Sequence, residues 1–448
     1  MIATRLDRIA HEVGGELRGH TFDVVIERIC TDSRGASPGA LFVALPGRQT
    51  DGHRWIGDAF RNGAEAALIA SSAAGSIDFT PEWPVISVPD TLRALQALAA
   101  WHRREYLGKV VAITGSNGKT LVKDALKALL AGKQLLASPG SYNSQLGLPL
   151  AILSAERPAP LGILEVGVSA PGEMAPLEEI AAPDYGILTN IGMAHFAAFG
   201  NREAIAREKI RLFSRIGKNG WVLVPADEPA IAGPLCDLRC PVHEIGPDAQ
   251  TLTLAPGPFI ADGQMLELRV SPVDARTVSV RTRSAEIISD LHFAAAAAHL
   301  LGAGLDEIAA ALDGYMPAST RMELWSSPQG VRLINDGYSA DPISVQAALR
   351  SATMGASRSG RKIFAFAGMR ELGASSDREH RQVGAQAGAL DFSHLFLVGN
   401  GELKSTAEGY QSAKPDGAVV RVHNPDELKQ QLLPLLRSGD TVLFKGPR

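Results

Sequence analysis

The sequence predicts an α/β protein whose sheets are largely parallel, and three observations support this fold class. The chain has 448 residues, too many for a single hydrophobic core, which suggests about three domains. Along most of its length short apolar runs alternate with helical patterns, an order typical of parallel sheets. One apolar run ends in a glycine-rich turn that leads directly into a helix, and α/β sheets bind anionic ligands at such junctions.

Composition and charge exclude several classes of protein. With 45% hydrophobic and 21% charged residues the chain is an ordinary globular protein, and its net charge of −4 argues against a general nucleic-acid binder. The opening residues carry charges every few positions, unlike a signal peptide. The longest apolar run, at residues 291–301, is interrupted by His292 and His299 and cannot span a membrane. We therefore expect a cytoplasmic protein.

The cysteines predict neither disulfides nor a metal site. Cys30, Cys236 and Cys240 form a sparse and odd set. The last two are spaced as Cys-x-x-x-Cys, but the further ligands of a zinc site are missing from the pattern. Buried, reduced thiols are the expectation.

The first predicted domain, residues 1–107, contains one polar segment of interest. An apolar run at residues 40–45 is expected to be a strand, with TDSR at 31–34 before it and GR and DGH at 47–48 and 51–53 after it. Loops of this kind could hold a nucleotide diphosphate through Arg34, Arg48 and hydroxyl groups. Ordinary turn chemistry with solvated arginines is the alternative, and the spacing alone favours it. An amphipathic helix at residues 92–101 leads into the next strand.

The glycine-rich junction organises the predicted central domain, residues 108–316. A buried strand is expected at residues 110–113, the turn GSNG follows at 115–118, and a helix begins at Lys119. Amide groups of such a turn bind phosphate, a lysine reaches the outer phosphates, and a hydroxyl such as that of Thr120 binds Mg²⁺. The loop is shorter than the general Walker motif, because Ile113 stands five residues before Gly118. An ordinary strand–helix turn is the alternative, but Gly-Lys-Thr at this junction predicts ATP binding.

Three further side chains of this domain are candidates for chemistry. Glu165 ends an apolar strand at 162–167, the position at which a neighbouring parallel strand presents a metal ligand, although an edge glutamate is the alternative. His195 follows the strand at 185–190 and is expected at the same rim, although a lone histidine is more often structural. Lys209 lies on a helix at 202–213, and nothing in the sequence pattern distinguishes it from its charged neighbours. A polar loop occupies residues 139–149, residues 220–285 are rich in strands, and a small-residue helix is expected from Ala294.

The last predicted domain, residues 317–448, restarts the α/β alternation after a hinge at 317–321. Strands are expected at 331–334, 362–367, 394–398 and 441–444, with one helix from Ile343 and a charged helix around His380. Two polar segments follow strands here, NDGYSADP at 335–342 and GMRELG at 368–373. Each lies between a predicted strand and the helix that follows it.

Together these motifs resemble the ATP-dependent Mur ligases of peptidoglycan assembly over essentially the whole chain. TGSNGKT at 114–120 resembles the family's ATP loop, and TDSR with FVALPGRQTDGH resembles its uridine-nucleotide domain. SYNSQLGLPL, EVGVSAPGEM, NIGMAHFAAFGNREAIAREK, NDGYSADP and GMRELG then follow in the family's order. The likeness is greatest to the branch that adds D-alanyl-D-alanine to UDP-N-acetylmuramoyl tripeptide, and especially to ligases fused to an alanine racemase.

The resemblance implies a role for each candidate residue. The uridine nucleotide would be surrounded by Ser33, Arg34, Asp51, Gly52 and His53. ATP would be bound by Gly115, Ser116, Asn117, Gly118, Lys119, Thr120, Asp290 and Asp336, with Arg321 reaching its γ-phosphate. The two Mg²⁺ ions would be held by Thr120, Glu165, His195 and a carbamylated Lys209, and the muramoyl peptide would meet Asn143 and Ser144. Lys119, Lys209, His195 and Arg321 would act in catalysis.

The reaction that the resemblance implies is amide-bond formation through an acyl phosphate. The expected architecture is that of the Mur ligases: a UDP-sugar domain, a central ATPase domain with a phosphate loop, and a Rossmann-like C-terminal domain that binds the incoming amine. The substrates would be a UDP-muramoyl peptide and D-alanyl-D-alanine, with no nucleic acid and no membrane span, and the chain would be a monomer. Two alternatives stay open: a related amide ligase of a specialised pathway, and a catalytically silent nucleotide-binding protein. The first is motivated by departures such as Asp290, where the family usually has asparagine.

Overall fold

The structure is a computed structural model that describes residues 1–447 except 22, 48–49, 74–79, 81, 194, 261–262, 317–321, 355, 358–359 and 400–402. Arg48, Arg321 and the predicted hinge at 317–321 therefore lie outside the described residues. Within those residues, no helix has both the length and the apolar character needed to cross a membrane.

The N-terminal portion is a mixed sheet flanked by helices. Its elements are β1 Thr4–Arg5, α1 Leu6–Val13, β2 Glu16–Arg18, β3 Val25–Ile26, β4 Arg28–Cys30, β5 Ala40–Val43, α2 Ile56–Arg61, β6 Ala64–Ala70, β7 Val85–Val88 and α3 Thr91–Tyr106. The sheet order is β2-β7-β6-β5-β4, and β4 to β7 are parallel while β2 is antiparallel. Asp90 starts α3 by accepting hydrogen bonds from the amides of Leu92 and Arg93.

The central portion is a parallel sheet with an antiparallel meander attached. Its elements are β8 Leu107–Thr114, α4 Lys119–Leu129, β9 Leu135–Ala137, α5 Gly147–Leu153, β10 Ala159–Glu165, α6 Met174–Ala181, β11 Tyr185–Leu188, α7 Phe196–Phe199, α8 Arg202–Ile210, β12 Trp221–Pro225, α9 Ala232–Leu235, β13 Val242–Ile245, β14 Thr253–Ile260, β15 Gly263–Ser271, β16 Asp274–Val280, α10 Ala285–Leu300 and α11 Leu305–Leu312. The parallel order is β13-β12-β11-β8-β10-β9, and β14-β15-β16 form the meander.

Strand β8 shows why the strands of this sheet are continuous apolar segments in the sequence. Val110 and Ala112 face one hydrophobic core, shared with α3, α5 and α6, while Val111 and Ile113 face the other, shared with α4 and α10. Both faces are covered, so polar residues are displaced to the strand ends. The functional side chains lie at those ends.

The C-terminal portion is a second open sheet. Its elements are β17 Glu323–Ser326, β18 Arg332–Asp336, α12 Pro342–Thr353, β19 Lys362–Phe366, α13 Ser376–Ala389, β20 His394–Val398, α14 Lys404–Ala413, β21 Ala418–Val422, α15 Pro425–Leu432 and β22 Thr441–Lys445. The order is β17-β18-β22-β19-β20-β21, and only the edge strand β17 among these described strands runs antiparallel.

Two predictions about local structure are wrong. The small-residue helix begins at Ala285, where Ser284 caps it, and not at Ala294. As a result Asp290 lies within a helix. The thiols are not all buried: Cys236 is exposed just after the short helix α9 and Cys30 is half-buried, while Cys240 is buried. All three are free, as expected.

Candidate active site

The turn between β8 and α4 has glycine at the two positions where a side chain would clash with neighbouring residues. Gly115 has φ +147° and Gly118 has φ +81°, backbone conformations that other residues rarely adopt. A Cβ atom on Gly115 would lie 1.9 Å from Oγ1 of Thr189, and one on Gly118 would lie 2.2 Å from Oδ1 of Asp290. The N–H group of Ser116 donates to the carbonyl oxygen of Asn190, which anchors the turn to the end of β11. These observations fit a backbone cradle for phosphate at the N-terminus of a helix.

Two lysines meet at one carbonyl oxygen of this turn. Nζ of Lys119 donates to the carbonyl oxygens of Gly115 and Ser116 at 2.8 and 3.0 Å. Nζ of Lys209 donates to the Gly115 carbonyl oxygen at 3.0 Å, and the side chain of Lys209 is buried. Burial, and secondarily the charge of Lys119, lower the pKa of Lys209 well below its usual value. A lowered pKa favours the neutral, nucleophilic form of this amine.

Carboxylate and hydroxyl oxygens converge beside the same turn. The Thr120 hydroxyl donates to Oε2 of Glu165 at 2.9 Å, and Nδ2 of Asn143 donates to Oε1 at 2.7 Å. Glu165 reaches this place because it ends β10, which pairs with β8 in parallel register opposite Ile113. Mg²⁺ is commonly bound by one or two carboxylates together with substrate phosphates, so this pair of oxygens fits it. Among the described residues no group of three or more histidine, cysteine or acidic side chains forms a metal cage.

His195 contacts the C-terminal portion of the chain. Its backbone is left-handed, with φ +59°, and Nδ1 of its ring lies 2.6 Å from Oε2 of Glu371. Its neighbour Ala194 lies outside the described residues. The ring lines two of the cavities described next.

Three adjoining cavities surround the turn. The first, of 540 Å³, extends from Asn117 and Gly118 past Asp290 to Asp336 and α12. The second, of 420 Å³, contains Lys119, Thr120 and Glu165 and is also lined by residues 338–341 and 370–372. The third, of 430 Å³, contains Asn143, Ser144 and Lys209 and reaches Leu92. The second shares Asn117 and Gly118 with the first, and Ser116, Lys119, Asn143 and His195 with the third.

The two predicted aspartates of the nucleotide side face the first cavity from opposite walls. Asp336 forms an ion pair with buried Lys445 at 2.7 Å and accepts a hydrogen bond from the amide of Met322. Asp290 projects from α10 toward the glycine turn. Carboxylates therefore line this cavity on both sides, and Lys445 neutralises the charge of Asp336.

The predicted uridine-binding residues lie in or next to two short 3-10 helices of the N-terminal portion, Ser33–Gly35 and Gly52–Trp55, and do not line these cavities. Ser33 is buried, and the exposed Arg34 is paired with Asp32. Both ring nitrogens of His53 form hydrogen bonds within the protein: Nδ1 donates to Asp51 at 2.6 Å, and Nε2 accepts from the amide of Ala70 at 2.9 Å. His53 thus holds the loop that carries Asp51 and Gly52, and uridine binding by these residues stays a prediction.

Sequence reasoning missed several side chains that the structure brings to the site. The hydroxyl of Tyr338 lies 2.6 Å from that of Ser141, and Glu371 contacts His195. Buried Lys123 donates to the carbonyl oxygen of Ser138 and so holds the loop before Ser141. Tyr338 and Glu371 do lie in the two polar segments noted at 335–342 and 368–373, but no sequence pattern pairs those segments with the central sheet.

Family models match the chain in three consecutive segments. Residues 25–103 match the Mur ligase family catalytic domain, residues 113–287 the Mur ligase middle domain, and residues 320–448 the Mur ligase glutamate ligase domain.

Similar proteins and structures cover nearly the full length. The UDP-N-acetylmuramoyl-tripeptide–D-alanyl-D-alanine ligase of Bacillus subtilis is 30% identical over 100% of this chain and 96% of its own, and that of Escherichia coli is 29% identical over the same shares. The crystal structure of MurF from Acinetobacter baumannii has a TM-score of 0.88 at 25% identity, over 100% of this chain and 96% of that one. MurF from Thermotoga maritima in complex with ADP has a TM-score of 0.82 at 24% identity, over 94% of each chain, and supports the fold.

Proposed function

Because this chain belongs to the Mur ligase family, as its motifs predicted, we propose that it joins D-alanyl-D-alanine to UDP-N-acetylmuramoyl tripeptide, with ATP as the energy source. The proposal includes a UDP-sugar domain at 1–107, an ATP-binding domain at 108–316 and a ligase domain at 317–448. It also includes action as a cytoplasmic monomer, with D-alanine provided by an alanine racemase, fused or separate.

The observation that carries this proposal is the continuity of the three cavities through one phosphate loop. A nucleotide in the first cavity would direct its outer phosphate past Gly118 and Lys119 into the second. A carboxylate that enters through the third cavity would arrive at the same lysine from the other side, because Lys119 and Asn143 line both. This is the arrangement needed to transfer a phosphoryl group to a carboxylate.

The first chemical step must overcome repulsion between two anions. At about 4 Å and an effective dielectric near 20, two unit charges of the same sign repel by roughly 4 kcal/mol. Lys119, which lies on two carbonyl oxygens in the structure, would move its ammonium to the phosphates, and Arg321 would add a second cation. Thr120 and Glu165 would hold Mg²⁺, which would neutralise further phosphate charge.

In this step a carboxylate oxygen of the peptide forms a bond to the γ-phosphorus while the bond to the bridging oxygen breaks and ADP leaves. The amine of the dipeptide then attacks the carbonyl carbon of the acyl phosphate, loses a proton, and inorganic phosphate departs. Acyl phosphates hydrolyse, so water must be kept out. The segments at 338–341 and 370–372, which line the second cavity, would do this on closing over it.

Lys209 is proposed to act as a carbamate. Its amine is buried beside Lys119 with a strongly lowered pKa, so it can attack CO₂ without first losing a proton to solvent. The new N–C bond converts the neutral amine into a carbamate anion, with release of one proton from the nitrogen. The product would be an oxygen ligand for a second Mg²⁺, and its negative charge would pair with the ammonium of Lys119.

The test is phosphate release by the purified chain in the presence of ATP and Mg²⁺. Release that requires both UDP-muramoyl tripeptide and D-alanyl-D-alanine supports the proposal. Release with the tripeptide and other amines, such as L-alanyl-L-alanine, would indicate a specialised ligase instead. No release with any pair, although nucleotide binds, would indicate a silent nucleotide-binding protein. A Lys119→Ala variant serves as the control for contaminating ATPases.

A further inference from the structure

Two side chains of the C-terminal portion contact the central portion beside the proposed Mg²⁺ ligands. Glu371 contacts His195 through a 2.6 Å Oε2–Nδ1 pair, and the hydroxyl of Tyr338 lies 2.6 Å from that of Ser141. Their partners, His195 and Ser141, both line the cavity that contains Thr120 and Glu165. Neither contact takes part in the chemical steps proposed above.

The contact of Glu371 determines which ring nitrogen of His195 is available to a metal ion. Oε2 of Glu371 lies 2.6 Å from Nδ1, so Nε2 is the nitrogen left for a metal ion. A carboxylate placed in this way orients a metal-binding imidazole.

Backbone strain indicates that this pair is held in place by its surroundings. His195 and Glu371 both have left-handed backbones, with φ of +59° and +61°. Residues other than glycine rarely adopt this conformation, and it persists where the surrounding structure imposes it. The chain packs tightly beside the pair, because a Cβ on Gly373 would lie 3.1 Å from that of Ala197.

The contact of Tyr338 extends into the other half of the site. The Ser141 hydroxyl lies 3.3 Å from that of Thr120, which in turn donates to Glu165. A chain of hydroxyl groups therefore runs from the C-terminal portion to the proposed Mg²⁺ ligands. The hydroxyl of Tyr338 fixes the Ser141 side chain, and Ser141 limits the orientations of the Thr120 hydroxyl.

We propose that Tyr338 and Glu371 are positioning residues that complete the Mg²⁺ site when the C-terminal portion is docked on the central one. The inference rests on the proposed function, since that function supplies the ion. Because binding free energies are reciprocal, docking then tightens Mg²⁺ binding and Mg²⁺ favours docking. The ion would thereby link occupation of the phosphate loop to closure of the cavity over it.

The experiment measures binding rather than turnover. Affinity for the non-hydrolysable nucleotide AMP-PNP is measured by calorimetry with Mg²⁺ and again with EDTA, and the ratio gives the gain due to the metal. The variants are Glu371→Met, which removes the acceptor, Glu371→Gln, which keeps an acceptor without charge, and Tyr338→Phe. The matched control is Arg350→Gln, which removes an exposed ion pair with Glu286 (3.7 Å) across the same interface but away from the proposed ligands.

We expect Glu371→Met to reduce the gain due to Mg²⁺ about 10-fold, within the range for partners of metal ligands. Loss of one neutral hydrogen bond in Tyr338→Phe should reduce it about fivefold. Glu371→Gln should recover part of the loss, Arg350→Gln should match wild type, and affinity in EDTA should be unchanged in all four.

Three outcomes overturn the proposal: a metal-dependent gain in Glu371→Met equal to that of wild type, an equal loss in Arg350→Gln, or losses that persist in EDTA. These results would leave the proposed function intact, because wild type would still bind Mg²⁺ and nucleotide. A wild-type chain that gains nothing from Mg²⁺ would contradict the proposed function itself.

Discussion

Replacement of Gly118 by alanine tests whether the turn after β8 is the nucleotide cradle. Gly118 caps the N-terminus of α4 with φ +81°, and an alanine there must either keep this left-handed backbone or move the turn. The left-handed conformation costs an L-residue about 1–2 kcal/mol. In addition, the new Cβ would lie 2.2 and 2.6 Å from the two carboxylate oxygens of Asp290, so the carboxylate must rotate away.

Both consequences weaken nucleotide binding. If relief of the strain displaces the turn in the free protein, returning it to the binding geometry costs about 1–2 kcal/mol, equivalent to a loss of roughly 5- to 30-fold in affinity. Rotation of Asp290 also alters the wall of the 540 Å³ cavity. We expect ADP affinity, measured by calorimetry, to fall at least 10-fold, with the melting temperature lowered by only a few degrees.

Gly132→Ala is the matched control, since that glycine lies just beyond the other end of α4 and no atom lies within 4 Å of the place that its Cβ would take. Comparison of the double variant Gly118→Ala/Asp290→Ala with Asp290→Ala alone isolates the backbone strain: neither has the clash, so the double variant should bind ADP more weakly only by the cost of the strain. If Gly118→Ala binds ADP as well as Gly132→Ala does, the turn is not the nucleotide cradle.

Three further predictions concern titration, carbamylation and folding. Burial, and secondarily the N-terminal ammonium, lower the pKa of His102 to about 4, so the unfolded chain binds more protons between pH 4 and 6.5 and stability is lost as pH falls. Between pH 7 and 5 the free energy of unfolding, measured with urea, should fall by roughly 2 kcal/mol less in His102→Leu than in wild type. An equal fall in both proteins would contradict this reasoning. Removal of CO₂ should lower ligase activity reversibly, with bicarbonate restoring it, whereas Lys209→Arg should be inactive under both conditions. Asp440→Ala should destabilise the chain by about 3–5 kcal/mol in denaturant titration, because it leaves the guanidinium of Arg361 without its carboxylate; a loss below 1 kcal/mol would refute that reasoning.

The part of the site that the sequence predicts follows from strand topology. Neighbouring parallel strands end at the same edge of a sheet, so a carboxylate at the end of one, Glu165, was expected near the turn at the end of another. The structure places it 2.9 Å from the hydroxyl of Thr120. Local patterns were sufficient here because the strands β8 and β10 pair directly.

The rest depends on packing over long separations in the chain. Lys209 has no local sequence feature that distinguishes it. Its lowered pKa arises from burial against Gly115 and from the nearby charge of Lys119, both of which exist only in the folded protein. Ser141 and Tyr338 are 197 residues apart and meet only because two separate sheets are docked together. The start of α10 was misplaced because the alanine run is the more conspicuous pattern, whereas the signal that sets the start is the cap formed by Ser284.

The most direct test of the account follows oxygen from the peptide into phosphate. The terminal carboxylate of UDP-muramoyl tripeptide is labelled with ¹⁸O, and the phosphate released with ATP, Mg²⁺ and D-alanyl-D-alanine is examined by mass spectrometry. If the carboxylate takes the phosphoryl group at the turn after β8, each phosphate carries one oxygen from the peptide. Unlabelled phosphate, formed while the amide product accumulates, would contradict the acyl-phosphate route.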